Sequence, residues 1–336
     1  MVTSMKGTVR RSVRSTLRRL RSNETVSNAL YDLTNEDQFS TLCAHERMLA
    51  DPVRVDTYAA GIERHVEAGD VVVDLGTGTG ILAFLAAQQG ATVHAIDHAE
   101  IIEIAKIAAE YNGIEHVEFH QTNSREFTCS EAVDVILHEQ MGAALFDENM
   151  LENVLDLKRR VLADDGRVLP ARFELFAEPV RVNDDSRVPY LWEEPVHDVS
   201  FEFLDLLGET NEYRQPSHSW RFVGHEKFES FLSEPEPVLS VDLDDMSDGS
   251  SVPTEFEVAR TVTEPGEIDG ICLFFRTVFD DETQFDTSPD EAGPTSWGNP
   301  LFRTPIRTYA NGERISYRVS IGDLSDVDTW SVSLAD

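Results

Sequence analysis

Cysteine is scarce in this chain. Among 336 residues there are three, Cys43, Cys129 and Cys272. Their number is odd, their spacing is wide, and none forms a C-x-x-C pair, which excludes a disulfide framework and a cysteine zinc cluster and points to a reducing compartment. Long hydrophobic runs are absent too: no apolar stretch approaches the roughly 18 residues of a membrane helix. The N-terminus is basic and lacks an apolar segment, so no secretory signal is expected. Positive charge is also in short supply. Lysine and arginine number 28 against 62 aspartates and glutamates, a net charge of -34. Such a surface repels nucleic acid and anionic membrane, so neither is an expected partner. It suits a salt-rich cytoplasm, where molar salt screens charge over roughly 3 Å. A cytoplasmic protein of a salt-adapted organism is the expectation, with an acidic face that attracts cationic substrates.

What is present divides the chain into parts. The length accommodates two domains with sizeable cores. Residues 1–34 carry Lys6, Arg10, Arg11, Arg14, Arg18, Arg19 and Arg21, a quarter of all basic residues, and read as a solvated tail over the acidic body. Residues 35–171 alternate strand and helix. "VVVDLG", "TVHAID", "VEFHQ" and "VDVILHE" read as strands. "ILAFLAAQQG", "AEIIEIAKIAAEYNG" and "NMLENVLDLKRRVLADDG" read as helices, the last with its basic residues near the end favoured by the helix dipole. Repeated β-α units predict an α/β, Rossmann-like doubly wound sheet. Residues 172–336 switch to short alternating segments, among them "RFELFAEPVRV", "DVSFEFLDLL" and "GICLFFRTVF". These predict an antiparallel β-sandwich or barrel domain.

The first motif with chemistry is "VVVDLGTGTG". It ends a strand and opens a helix. Gly76, Gly78 and Gly80 let the backbone turn tightly and approach a ligand. Asp97 closes the next strand, placed to bond ribose hydroxyls. The glycine spacing also satisfies a dinucleotide fingerprint. Asp74, directly before the glycines, favours S-adenosylmethionine over a nicotinamide cofactor. An acid there repels a pyrophosphate and attracts an ammonium.

Three further segments carry a resemblance. "AHERMLADPVRVDTY" precedes the glycine strand, "HEQMGAALFDENM" follows the fourth strand, and "FDTSPDEAGPTSWGNPLF" lies late in the β region. In order and spacing they resemble the protein arginine N-methyltransferases, from about Phe39 to the C-terminus. The resemblance implies a class I methyltransferase that uses S-adenosylmethionine. It implies that Arg54 pairs with the cofactor carboxylate and that His45 and Met48 line the same pocket. Asp74, Gly76 and Gly78 would hold the methionine part, Asp97 the ribose, and Asn123 and Ser124 the adenine. Glu139 and Glu148 would be the catalytic pair, with Met141, Ser296, Trp297 and Phe39 on the substrate side. Residues 190–213 stand where the family carries a dimerisation arm, with Leu204, Leu206 and Leu207 as contacts. That implies a head-to-tail homodimer.

The two glutamates suit this chemistry. A guanidinium stays protonated at working pH, presents five donors and is a poor nucleophile. Two carboxylates can clamp it, offset its charge and aim one nitrogen at a methyl group. Gly142 is expected to permit the turn between them. The chain also departs from the family. Gln140 replaces a tryptophan, Ala143 a tyrosine, and Ser296 a histidine. His138 is a candidate replacement proton acceptor. The acceptor is therefore either arginine in basic or arginine-rich protein segments, or a different small molecule or side chain; a non-catalytic cofactor-binding module is the third reading.

Overall fold

The structure, a computed structural model, describes residues 41–146, 148–187, 190–192, 195–207, 220–290 and 295–335. The basic segment 1–34, the candidate Phe39 and positions 208–213 of the expected arm lie outside the described residues.

The first half builds a parallel sheet. Its elements are α1 (Leu42–Leu49), α2 (Pro52–His65), β1 (Val71–Leu75), α3 (Ile81–Gln88), β2 (Thr92–Asp97), α4 (Ile102–Asn112), β3 (Val117–Gln121), β4 (Val133–His138), α5 (Met150–Val161) and β5 (Leu162–Leu169). The strand order is β3-β2-β1-β4-β5, all parallel. β1 is covered on both faces, so it reads as a continuous apolar run broken only by Asp74. The order reverses between β1 and β4. Loops leaving the carboxyl ends of these two strands therefore open on one crevice, where such sheets bind ligands. The glycine loop follows β1 and the two-glutamate loop follows β4.

The second half is antiparallel. Its strands are β6 (Arg172–Val182), β7 (Trp220–Val223), β8 (Phe228–Phe231), β9 (Pro237–Asp242), β10 (Glu255–Thr261), β11 (Gly266–Val278), β12 (Gln284–Asp286), β13 (Asn299–Tyr309), β14 (Arg314–Ser320) and β15 (Ser331–Leu334). One sheet runs β7-β13-β11-β6-β8, with β9 on β6 and β12 on β11; a three-stranded sheet runs β10-β14-β15. A buried ion pair links them. Arg260 on β10 reaches Glu178 on β6 through bonds of 2.6 to 3.0 Å. The halves meet where α2 packs on the end of β11. The Tyr58 ring meets Phe279 edge-on at 5.0 Å. A Cβ on Gly61 would lie 2.3 Å from the Phe279 ring, so only glycine lets the helix come this close.

Two local expectations need correction, and one strand lacks a sequence signature. The helix expected through Gly166 stops at Val161, because Leu162 turns extended and residues 162–169 add β5 to the sheet. Burying Val168 and Leu169 against β4 outweighs helix propensity there. "DVSFEFLDLL" is not a strand: it holds a bridge between Val196 and Val199 and a short 3-10 helix, Glu202–Leu207. β13 gave no clear strand pattern because Pro300 and Pro305 interrupt it, yet it pairs with both β11 and β7.

Candidate active site

The site begins at Asp51-Pro52. Asp51 caps α2 by accepting the Arg54 amide at 3.1 Å, with proline in the first turn where its missing N–H costs nothing. The other Asp51 oxygen accepts the Ser296 amide at 2.6 Å. One buried carboxylate thus ties the start of α2 to the Thr295–Trp297 loop of the β half. The cap directs the Arg54 side chain into a cleft of about 320 Å³. There its guanidinium forms an ion pair with Glu139 and lies 5.3 Å above the Trp297 ring, a distance at which the indole face attracts a cation.

Trp297 is held on two sides. Its indole N–H donates to the Met141 carbonyl at 2.6 Å. Its ring stacks on Phe285, centroids 5.4 Å apart. The Met141 side chain points away, into the core, where its sulfur accepts the Thr277 hydroxyl at 3.5 Å. Met141 therefore borders the cleft while its thioether serves packing. The turn after it runs through Leu145, with φ of 69°, and Asn149, with φ of 51°. These two residues, and not Gly142, take the left-handed conformations that bring Glu148 back to the cleft beside Glu139.

Under the glycines, Asp74 is buried. One of its oxygens accepts the Thr77 hydroxyl at 2.6 Å and the Ala83 amide at 3.1 Å. Asp97 accepts the Gly78 amide at 2.9 Å and the Ala99 amide at 2.9 Å. Gly78 is required twice over: its φ is +53°, and a Cβ would lie 2.7 Å from the His45 ring. His45, Met48, Gly76, Gly78, Asp97, Glu139, Glu148, Ser296 and Trp297 all line this one cleft. Gly80 starts α3 in a left-handed conformation. Asn123 and Ser124 are not among the lining residues. Asn123 accepts the Arg125 amide at 3.0 Å, and the Ser124 carbonyl accepts from Arg160 at 2.7 Å.

Electrostatics sharpen the picture. Burial pushes the Glu139 carboxyl up to about 7, against the opposing pull of Arg54. Burial likewise raises Asp74 to about 6. His138 is fully buried, its ring bonded to the Pro170 carbonyl at 2.9 Å, and burial lowers it to about 4. It faces the core, which removes it as a proton acceptor. Seven buried side-chain polar atoms have no hydrogen-bond partner among the described residues, and four of them lie in or near this region: one Asp74 oxygen, His98 Nε2, His138 Nδ1 and the Gln140 amide oxygen. His98 and Gln140 line the cleft. The glycine cradle, the acid closing β2 and these orphaned atoms fit a polar adenosine-type ligand. Sequence reasoning missed Asp51, His98 and Tyr58, whose hydroxyl donates to the His138 carbonyl at 2.9 Å. The Asp-Pro pair at a helix start was the available signal for Asp51.

Comparison with known proteins agrees with this geometry. Residues 66–202 match the family model described as a methyltransferase domain. Protein arginine N-methyltransferase 6 of Danio rerio is 36% identical over 148 residues, covering 43% of this chain and 42% of the relative. A probable protein arginine N-methyltransferase 6 of Arabidopsis thaliana is 31% identical over 216 residues, covering 63% and 48%. The chain thus matches less than half the length of these two relatives. Rice protein arginine N-methyltransferase PRMT10 is 27% identical over 306 residues, covering 82% of this chain and 80% of that one. Among solved structures, Arabidopsis thaliana protein arginine methyltransferase 10 aligns with a TM-score of 0.69 at 22% identity, covering 84% and 88%. A Trypanosoma brucei enzyme-prozyme complex aligns at 0.71 and 23%, covering 84% and 89%.

Fold and sequence together define a methyltransferase-domain protein with a Rossmann-like core and an antiparallel β half. Within that class, the sequence relatives reported above are protein arginine N-methyltransferases.

Proposed function

We propose that this chain is an S-adenosylmethionine-dependent methyltransferase whose acceptor is a guanidinium nitrogen of protein arginine. The observation that carries this reading is the Arg54–Glu139 pair under Trp297. The cleft already accommodates a guanidinium between a half-buried carboxylate and an indole face. Asp74, His45, Gly78 and Asp97 would hold the cofactor, whose sulfonium supplies an electrophilic methyl. Glu139 and Glu148 would orient the acceptor nitrogen, so that most of the rate enhancement comes from positioning and preorganised charge. In the transfer an N–C bond forms, an S–C bond breaks, and the guanidinium loses one proton. Glu139, poised near 7, suits the role of acceptor for that proton.

The acidic surface supports arginine-rich or basic protein segments as substrates, and a cytoplasmic setting in a salt-adapted organism. No helix among the described residues is long and apolar enough to cross a membrane. Exposed Val196, Val199 and Phe203 in the arm region support a head-to-tail homodimer. A monomeric mass by light scattering in high salt would remove that part.

The test is transfer of labelled methyl to an arginine-rich peptide and to cell extract in high salt. Wild type is compared with Glu139→Gln and Glu148→Gln. Label in methylarginine, lost in both variants while cofactor binding persists, supports the clamp. Ser296 and Gln140 favour a second reading, transfer to a different acceptor. Transfer that survives both substitutions would establish it. Cofactor binding with no transfer to any acceptor would favour a binding module.

A further inference from the structure

We propose that His94, Glu118 and His120 form a binding site for a divalent transition metal of the zinc type, on the sheet and apart from the cleft. His94 lies on β2; Glu118 and His120 lie two apart on β3, so they share one face. The parallel register sets His94 opposite Glu118 and Ile96 opposite His120, so all three side chains converge. His94 Nδ1 is 3.0 Å from His120 Nε2. One Glu118 oxygen is 3.6 Å from His94 Nδ1 and the other 3.8 Å from His120 Nε2.

These separations match a coordination triangle. Zinc bonds of about 2.0 to 2.2 Å at tetrahedral angles put neighbouring ligand atoms roughly 3.3 to 3.5 Å apart. The 3.6 and 3.8 Å contacts come from the two different Glu118 oxygens; with one ligand atom from each residue, the three atoms lie within 4.8 Å of one another, and a turn of the Glu118 carboxylate would close the triangle. Two imidazoles and one carboxylate are a zinc donor set, and the exposed Glu118 leaves the fourth position toward solvent. A neutral imidazole ligates through whichever nitrogen lacks the proton, so a tautomer with the proton on the outer nitrogen of each ring presents both facing nitrogens to a metal. Phe127 walls the site, its ring 5.1 Å from His120 and 5.9 Å from His94, so both imidazoles are fixed in place.

The bound ion would clip β3, an outer strand of the parallel sheet, to β2 just before Asp97. This inference is independent of the proposed methyl transfer. It is tested on the full chain, stripped with chelator and titrated with zinc chloride by calorimetry. Cobalt substitution reports geometry through its visible absorption. One ion per chain, intense tetrahedral cobalt bands and a raised melting midpoint are expected. The double variant H94Q/H120Q should lose all three. Glu118→Gln, at an exposed position with no folding role, should weaken zinc at least tenfold and shift the cobalt spectrum. Zinc uptake unchanged in both variants would assign the ions to the acidic surface and overturn the site. So would the absence of uptake by wild type.

Discussion

Arg54 and Glu139 form an ion pair across the cleft, one from the start of α2 and the other from the end of β4. Each is assigned to a different ligand by family resemblance, Arg54 to a cofactor carboxylate and Glu139 to a substrate guanidinium. On the proposed roles, this contact would couple the two tasks: an arriving guanidinium would compete with Arg54 for Glu139, and a cofactor carboxylate with Glu139 for Arg54. Binding of either ligand should favour the other.

That coupling gives the first prediction. Arg54→Lys keeps the charge and loses the planar fork. Cofactor affinity should fall about tenfold, equivalent to ~1.4 kcal/mol. Calorimetry with S-adenosylmethionine checks it, and an unchanged Kd would detach Arg54 from the cofactor.

The pH dependence has a definite sign. Glu139 is neutral below about 7 and charged above it. A clamp needs the charged form, so kcat/KM should rise through pH 7 and level off on the alkaline side. Asp74, at about 6, titrates below this step. A profile that is flat from pH 6 to 8.5, or that falls, would contradict the role given to Glu139.

Trp297→Phe tests the hinge between the halves. It retains an aromatic ring for Phe285 and deletes the donor to the Met141 carbonyl. The expected loss is about 1 to 2 kcal/mol in urea unfolding. Transfer should fall further than stability alone explains, because the loop carrying Glu139 loses its tether.

In the β half, Arg260→Met strands the fully buried Glu178. A loss of about 3 to 5 kcal/mol is expected, with much of it recovered when Glu178 is also replaced by methionine. Unfolding curves of the single and double variants decide this. Equal stability for wild type and the single variant would show that Glu178 takes up a proton instead.

The fold could be read largely from short-range pattern. β1 is a buried parallel strand and shows as "VVVDL"; α4 ends at Asn112 because Gly113 accepts a left-handed turn. β6 coincides with the alternating run from Arg172 to Val182. What escaped depends on long-range contact. β13 is a strand because β11 and β7 flank it, despite two prolines. The stretch after Val161 becomes a strand because β4 offers it an edge. The site divides the same way. Glu139, Glu148, Arg54 and the glycines announce themselves by motif. Asp51 acts on a residue 245 positions away. His98 becomes notable only as a buried nitrogen lacking a partner, and Gln140, already set apart by its departure from the family motif, proves to have a buried amide oxygen without one. Asn123 and Ser124 are not among the residues lining the cleft; the Asn123 side chain accepts the Arg125 amide and the Ser124 carbonyl accepts from Arg160.

The bond from Asp51 to Ser296 uses the main-chain N–H of residue 296 and asks nothing of its side chain. Every amino acid except proline supplies that group. The loop beside Trp297 can therefore keep its place while the side chain at 296 drifts. This position has substitution tolerance built into its anchoring, so a change of side chain there alters the chemistry offered to an acceptor without unfastening the two halves. Where the family motif that this chain resembles has histidine, the serine here changes the group offered to an acceptor and leaves the anchor intact. Asp51, whose two oxygens serve both halves, has no comparable freedom.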